Sequence, residues 1–294
     1  MLLNKRISIK YFLGTIKYDL ATIAVYAIAI GYLDNYSFFK DQSIPLALTA
    51  VVGTAVSLLL AFRTSQSYDR WWEARIVWGA IVNDSRTLMR QVTTFYDGPD
   101  KTAFVKDFGH RQIFWCYALA STLRRTKLPE DCQAYVDSLN LKDENIPNGM
   151  LSEHSRMIRQ AFIEGNINQF QQIQLDNTIV KLCDAMGKCE RIKNTVFPTS
   201  YSTLIHFLIY FIVTILPFGI DDNHIVLEVL LCIAIPSVFI AIEKTSILMQ
   251  DPFENLPLDT PMTAISRTIE KNIKQMIEEP VPTPAPVEDT YFVL

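Results

Sequence analysis

The chain has 294 residues, 49% of them hydrophobic and 20% charged, with a net charge of −4. That balance argues against a basic nucleic-acid-binding field and describes apolar blocks joined to polar ones, not one uniform globule. Five cysteines (Cys116, Cys132, Cys183, Cys189, Cys232) form no CxxC pair and four histidines (His110, His154, His206, His224) are scattered, which disfavours a zinc site or a disulfide framework and leaves reduced, structural thiols as the expectation.

Crossing a bilayer takes about 20 apolar residues. The first candidate span is Tyr18–Leu33, with Lys17 and Asp19 at its start, whose stems can snorkel to the interface. The second, Ile44–Phe62, reads IPLALTAVVGTAVSLLLAF and carries no charge. Ser43-Ile44-Pro45 suits its start as an N-cap followed by an early proline. The third is Tyr201–Ile220 and the fourth Ile225–Leu248, with Glu228 in its first turn and Pro236, a kink site, in its middle. Loops at Asp34–Ser43 and Asp221–His224 pair the spans into two hairpins.

Basic residues cluster outside those loops: Lys5, Arg6, Lys10 and Lys17, then Arg63, Arg70 and Arg75, then Lys188, Arg191 and Lys193, and finally Lys244. Only Lys40 lies in a hairpin loop, so both termini and the middle segment are expected in the cytoplasm of a multi-pass plasma-membrane protein. The N-terminus lacks an A-x-A-like site and is read as uncleaved.

The expected organisation is therefore residues 1–62 as an N-terminal segment and first hairpin, 63–200 as a helical cytoplasmic region, 201–248 as the second hairpin, 249–279 as a cytoplasmic segment, and 280–294 as a proline-rich disordered tail. Within 63–200, Trp71, Arg75, Trp78, Val82 and Leu88 recur at near-helical spacing, and Phe104–Leu123, Leu151–Ile163 and Ile173–Ile192 are amphipathic. Asn140–Met150, with Pro147 and Gly149, reads as a loop. No alternating run demands a sheet.

Two stripes mark the second span. Gly53, Ser57 and Ala61 are small residues every fourth position, a spacing that lets helices approach closely. One step along lie Thr54, Leu58 and Phe62. Four residues turn a helix about 400°, so this stripe drifts only about 40° per step. Several copies around one axis would stack these positions into rings, and apolar rings can gate by dewetting. Periodicity alone equally allows a stripe facing lipid or a neighbouring helix. Just after it, Arg70 and Glu73 have i,i+3 spacing beside Asp69, and Trp71, Trp72 and Trp78 suit either a membrane-boundary belt or a structural collar. His206 invites a functional reading as an intramembrane ionisable group, against a neutral histidine bonded between helices. Glu228 is expected at the outer interface and Glu243 with Lys244 at the inner one, while Cys183 and Cys189 fall on different faces of a helix.

AFRTSQSYDRWWEARIVWG resembles the signature that follows the pore helix in the bestrophin family, bacterial members included. CERIKNTVFPTSY, LPFG at Leu216–Gly219 and DPFENLPLD at Asp251–Asp259 resemble further elements of that family, in the same order. The resemblance implies an all-α membrane protein with four transmembrane helices and a large helical cytoplasmic region, assembled as a homopentamer around one central pore. Carried over by the Arg70-Trp71-Trp72 match, the pore neck falls on Thr54, Leu58 and Phe62, with Thr54 departing from the usual apolar residue. A second constriction, the cytoplasmic aperture, falls on Phe170, with Ile173 as the alternative. Arg63, Tyr68, Arg70, Trp71, Trp72, Glu73, Arg75 and Trp78 form the structural collar. Animal members carry a calcium clasp built from an acidic run; PFENLPLD has Glu254 and Asp259 but no such run, so calcium gating is not expected.

The function expected is passive ion conduction, with chloride favoured by the family. The positive end of the second helix favours anions, whereas Asp34, Asp41, Asp221 and Asp222 at the outer face favour cations. A sodium-conducting channel of the same architecture and a non-conducting membrane scaffold remain alternatives. No nucleophile–base pair or metal cluster suggests an enzyme; no cofactor or nucleic acid is expected, and the partners are other copies of the chain, membrane lipid and permeant small ions.

Overall fold

The computed structural model describes residues 9–36, 44–141, 145–195, 197–220 and 225–281. Ser43, Lys40, Asp41, Asp221, Asp222, His224 and nearly all of the proline-rich tail lie outside the described residues. All regular structure among those described is helical: α1 (Ile9–Tyr36), α2 (Leu46–Phe95), α3 (Lys101–Arg124), α4 (Glu130–Ser138), α5 (Ile146–Ile163), α6 (Gln169–Asn194), α7 (Thr199–Ile215), a 3-10 turn (Pro217–Gly219), α8 (Ile225–Gln250) and α9 (Met262–Met276). The chain forms two compact units, divided after Arg70, after Thr195 and after Gln250. The first division falls inside α2, a single helix of 50 residues.

The first unit holds α1, the start of α2, α7 and α8. Among the described residues, three helices are long and apolar enough to cross a membrane: Ile16–Asp34 of α1, the apolar part of α2, and Glu228–Gln250 of α8. The expected third span is interrupted. Helix α7 has 17 residues and gives way to the 3-10 turn at Pro217, which has no N–H to donate to the carbonyl of Val213. Ile23, Val56, Leu60, Ile205, Ile209, Ile212 and Ile240 form the core of this unit. Helix α1 packs along α8, and an ion pair of 3.2 Å joins Asp19 to Lys244, so Asp19 is partnered within the unit. Two acids depart from expectation. Glu228 is 1% exposed and Asp34 4%, so neither is a solvated carboxylate at an outer face.

The second unit holds the rest of α2 with α3–α6 and α9. Helix α3 is its centre, packed against α9, α5, α4 and α6. Trp78, Phe108 and Trp115 are fully buried here, which places Trp78 in a packed core, away from any interfacial belt. His154 is buried, stacks on Phe108 at 4.1 Å and meets Gln112 Oε1 through Nε2 at 3.2 Å. Burial, aided by the positive charge of Arg111, holds its pKa well below the usual histidine value, so it is a neutral core residue.

The loop expected at Asn140–Met150 ends earlier. Asn145 caps α5 by accepting a bond from Asn148 N, and Pro147 and Gly149 lie inside the helix. Proline in a first turn loses no hydrogen bond, so it starts a helix as readily as it ends one. Helices α4 and α9 have no counterpart among the expected elements.

Candidate functional site

The apolar start of α2 presents two opposite faces. Val56, Leu60, Arg63 and Ser67 are at most 2% exposed and form its packed side. Leu58 is 72% exposed and Phe62 55%. Two residues turn a helix about 200°, so Leu58 and Leu60 point in opposite directions. Thr54 is exposed on the same side as Leu58, and its hydroxyl donates to Ala50 O at 2.8 Å. That bond occupies the hydroxyl proton within the helix and lessens the polarity that Thr54 brings to the stripe. Among the described residues, nothing beyond the helix's own backbone lies within 4 Å of where a side chain on Gly53 would begin, and Ser57 and Ala61 are exposed, so the small-residue stripe meets no described helix.

Phe62 is backed by the start of α7. Its ring lies 6.0 Å from that of Tyr201, whose hydroxyl donates to Leu59 O at 3.3 Å. Phe197 meets Tyr201 edge-on at 5.5 Å, and the guanidinium of Arg63 sits 5.2 Å from the Phe197 ring. Arg63 donates to Glu243 Oε1 at 2.7 Å, with 3% and 0% of the two side chains exposed. The other oxygen of Glu243 is 2.6 Å from Nε2 of His206, whose side chain is 43% exposed. Glu243 is thus a buried carboxylate between two basic groups of other helices, not an interfacial one, and His206 is its partner. Thr64 and Ser246 share a hydrogen bond of 2.7 Å one turn further along.

The remaining collar residues divide between the units. Tyr68 is exposed, and Arg70 Nε donates to Gln250 O at 2.9 Å in the first unit. In the second, Trp71 Nε1 donates to Leu258 O at 2.6 Å, Trp72 lies half-exposed against Trp71, and the Arg75 guanidinium sits 5.5 Å from the Trp71 ring. Glu73 pairs with Arg191 at 2.5 Å, a partner 118 residues away.

Phe170 and Ile173 occupy the first turns of α6 and are 83% and 52% exposed. A capping box fixes that helix start: Gln171 N donates to Asn168 Oδ1 at 2.9 Å and Asn168 N to Gln171 Oε1 at 2.8 Å. Phe170 therefore projects from a pinned helix N-terminus, where the backbone carries partial positive charge.

The Asp251–Asp259 segment is held by a lysine. Lys193 Nζ reaches Asp251 Oδ2 at 2.9 Å and Glu254 Oε1 at 2.5 Å, with 7% of its side chain exposed. Burial alone would lower the lysine pKa, but hydrogen bonds to the two carboxylates outweigh it and raise it. Asp259 is buried and accepts Leu256 N at 2.9 Å. Burial pushes its pKa up to about 6 from 3.8. Among the described residues, no group of three or more acidic, cysteine or histidine side chains could hold a metal ion.

Phe197, Tyr201, Glu243 and Ser246 were not singled out from the sequence as parts of this site. Tyr201 lies in the CERIKNTVFPTSY segment, which was the available signal. The sequence profile of the bacterial and fungal bestrophin proteins matches residues 10–275. The chain belongs to the bacterial and fungal bestrophin family. A voltage-dependent anion channel-forming protein of Ralstonia nicotianae is 29% identical over 235 residues, which are 79% of this chain and 77% of that one. A protein of the same description from Escherichia coli K12 is 27% identical, over 87% of this bestrophin and 84% of its own length. A bestrophin homologue from Klebsiella pneumoniae shares the fold with a TM-score of 0.78 at 24% identity, covering 90% of this chain and 99% of that one.

Proposed function

We propose that this bestrophin is an anion channel, a homopentamer in which α2 of each subunit lines one central pore. Thr54, Leu58 and Phe62 form its neck and Phe170 its second constriction. The observation that carries this reading is the pairing of faces on α2. One side is buried to 2% or less at Val56, Leu60 and Arg63, while the opposite side leaves Leu58 and Phe62 more than half exposed. The vacant small-residue stripe one step along suits α2 of a neighbouring copy, which would turn the exposed stripe towards a shared axis.

Anion conduction follows the naming of the relatives and is supported by the α6 N-terminus beside Phe170, whose partial charge favours anions. In the same arrangement, α7 with its 3-10 turn completes a fourth span, the second unit is cytoplasmic, both termini face the cytoplasm of the plasma membrane, and Arg63 to Trp78 connect neck to cytoplasmic region as a collar.

The test is current recorded from purified protein in planar bilayers under asymmetric sodium chloride. The reversal potential is expected near the chloride equilibrium potential, and Leu58→Ala with Phe62→Ala is expected to raise current or abolish closing. Reversal near the sodium potential would assign cation conduction, absence of flux would leave a scaffold, and unchanged permeation in the double variant would remove the neck assignment.

A further inference from the structure

The second unit contains a cavity of about 610 Å³ that the conduction path does not use. It lies between α3, the segment joining α3 to α4, and α9. Its size is in the range that accepts a small organic molecule.

Its walls differ along their length. Ile113, Phe114, Leu128 and Cys132 supply an apolar face. Beside it, Glu270 is already engaged through both oxygens, by the Tyr117 hydroxyl at 2.7 Å and by Lys274 at 2.8 Å. At one end Glu279 is engaged by His110 at 2.8 Å, with Lys106 at 3.9 Å. These acids are engaged by groups of the protein itself.

The basic side chains of the lining are less engaged. Arg124, Lys127 and Arg267 belong to the lining, with Thr126 and Thr263, and Arg267 stands one turn of α9 from Glu270. Arg124 donates to Thr263 Oγ1 at 2.5 Å, which fixes its guanidinium. Burial lowers the Arg124 pKa, and the nearby Asp259 carboxylate offsets part of that. Arg267 and Lys127 are exposed and make no ion pair among the described residues, and Asp131 is the one further acid in the lining. A fixed guanidinium suits the oxygens of a phosphate or carboxylate.

We propose that this cavity binds a small soluble organic anion: a phosphate or carboxylate head held by Arg124, Arg267 and Lys127, on an apolar body lying along Ile113, Phe114 and Leu128. A cation would meet three positive side chains, an uncharged apolar ligand would leave Arg267 and Lys127 without a counter-charge, and an inorganic anion would leave the apolar face wet.

Isothermal titration of the purified full chain in detergent with phenyl phosphate tests this. Saturable binding is expected, at least about fivefold tighter than inorganic phosphate, and undetectable for phenol. Arg267→Ala is expected to weaken phenyl phosphate about tenfold, as the loss of one charge-assisted hydrogen bond requires. Its melting temperature should not change, because the side chain is exposed. Lys127→Ala should weaken it by a smaller factor. Equal affinity of the wild type and both variants, equal affinity for inorganic phosphate, or no saturable heat would overturn the proposal, and tighter binding of dioctanoyl phosphatidic acid would reassign the site to a lipid headgroup.

Discussion

At the scale of single residues, the decisive contact is the one between Arg63 and Glu243. Taking two charges out of water costs several kcal/mol per ion, and attraction between them compensates only when both are present. Glu243→Gln leaves the guanidinium of Arg63 buried at 2% exposure without its counter-ion. We expect a loss of about 3–5 kcal/mol, the cost of breaking a buried pair, seen as a lowered melting temperature in detergent by fluorescence-detected size exclusion. Arg63→Met combined with Glu243→Met should recover most of the loss. A Glu243→Gln protein that melts like the wild type would show that the pair is not structural. His206→Gln should have the smaller effect, since that side chain is 43% exposed and keeps solvent as a partner. Little of this was legible in advance. Arg63 and Glu243 are 180 residues apart, and each alone resembles an interfacial charge.

At the scale of elements, the connection from α8 to α9 shows why an isolated acid in a loop need not be a ligand. Asp251 and Glu254 are clamped by Lys193, and Asp259 closes a turn onto Leu256 N. Asp259 also makes a pH prediction. Its folded pKa of about 6 exceeds the ordinary 3.8, so the folded chain holds the proton more tightly than the unfolded one. The stability this contributes is fully present below pH 3.8 and is lost as the pH rises through 6. Asp259→Asn removes the titration while keeping an acceptor for Leu256. Melting curves across that window should show the variant gaining on the wild type as pH rises; a difference that stays flat would exclude Asp259 as the source. Element types were easier to read than boundaries. The 3.6-residue period exposed α3 and α6, but Pro147 and Gly149 masked the start of α5. Helix α4, with nine residues, is too short for periodicity to declare itself. Helix α9 was legible and was missed: Met262, Ile265, Ile269 and Ile273 recur every three or four residues, and Met262, Ile269 and Ile273 are buried.

At the scale of the whole molecule, the pentamer proposal has a direct measure. Light scattering on the detergent-solubilised protein, corrected for bound detergent, should give about five times the chain mass of 33.6 kDa; a monomeric mass would remove the pore along with the rings that form it. The sequence by itself determined the apolar blocks, the helical class and the Thr54–Leu58–Phe62 stripe. Hydropathy sums over neighbouring residues and helical facing repeats every few positions, so both are local properties. Only the tertiary structure decided that Glu228 and Glu243 are buried, that Lys193 grips two carboxylates, and that α3, α9 and the segment after α3 line one cavity with Arg124, Lys127 and Arg267 in its wall. Each of those depends on which distant segments meet. The energy of a charge is set by what lies beside it in space, and no window along the chain contains that information.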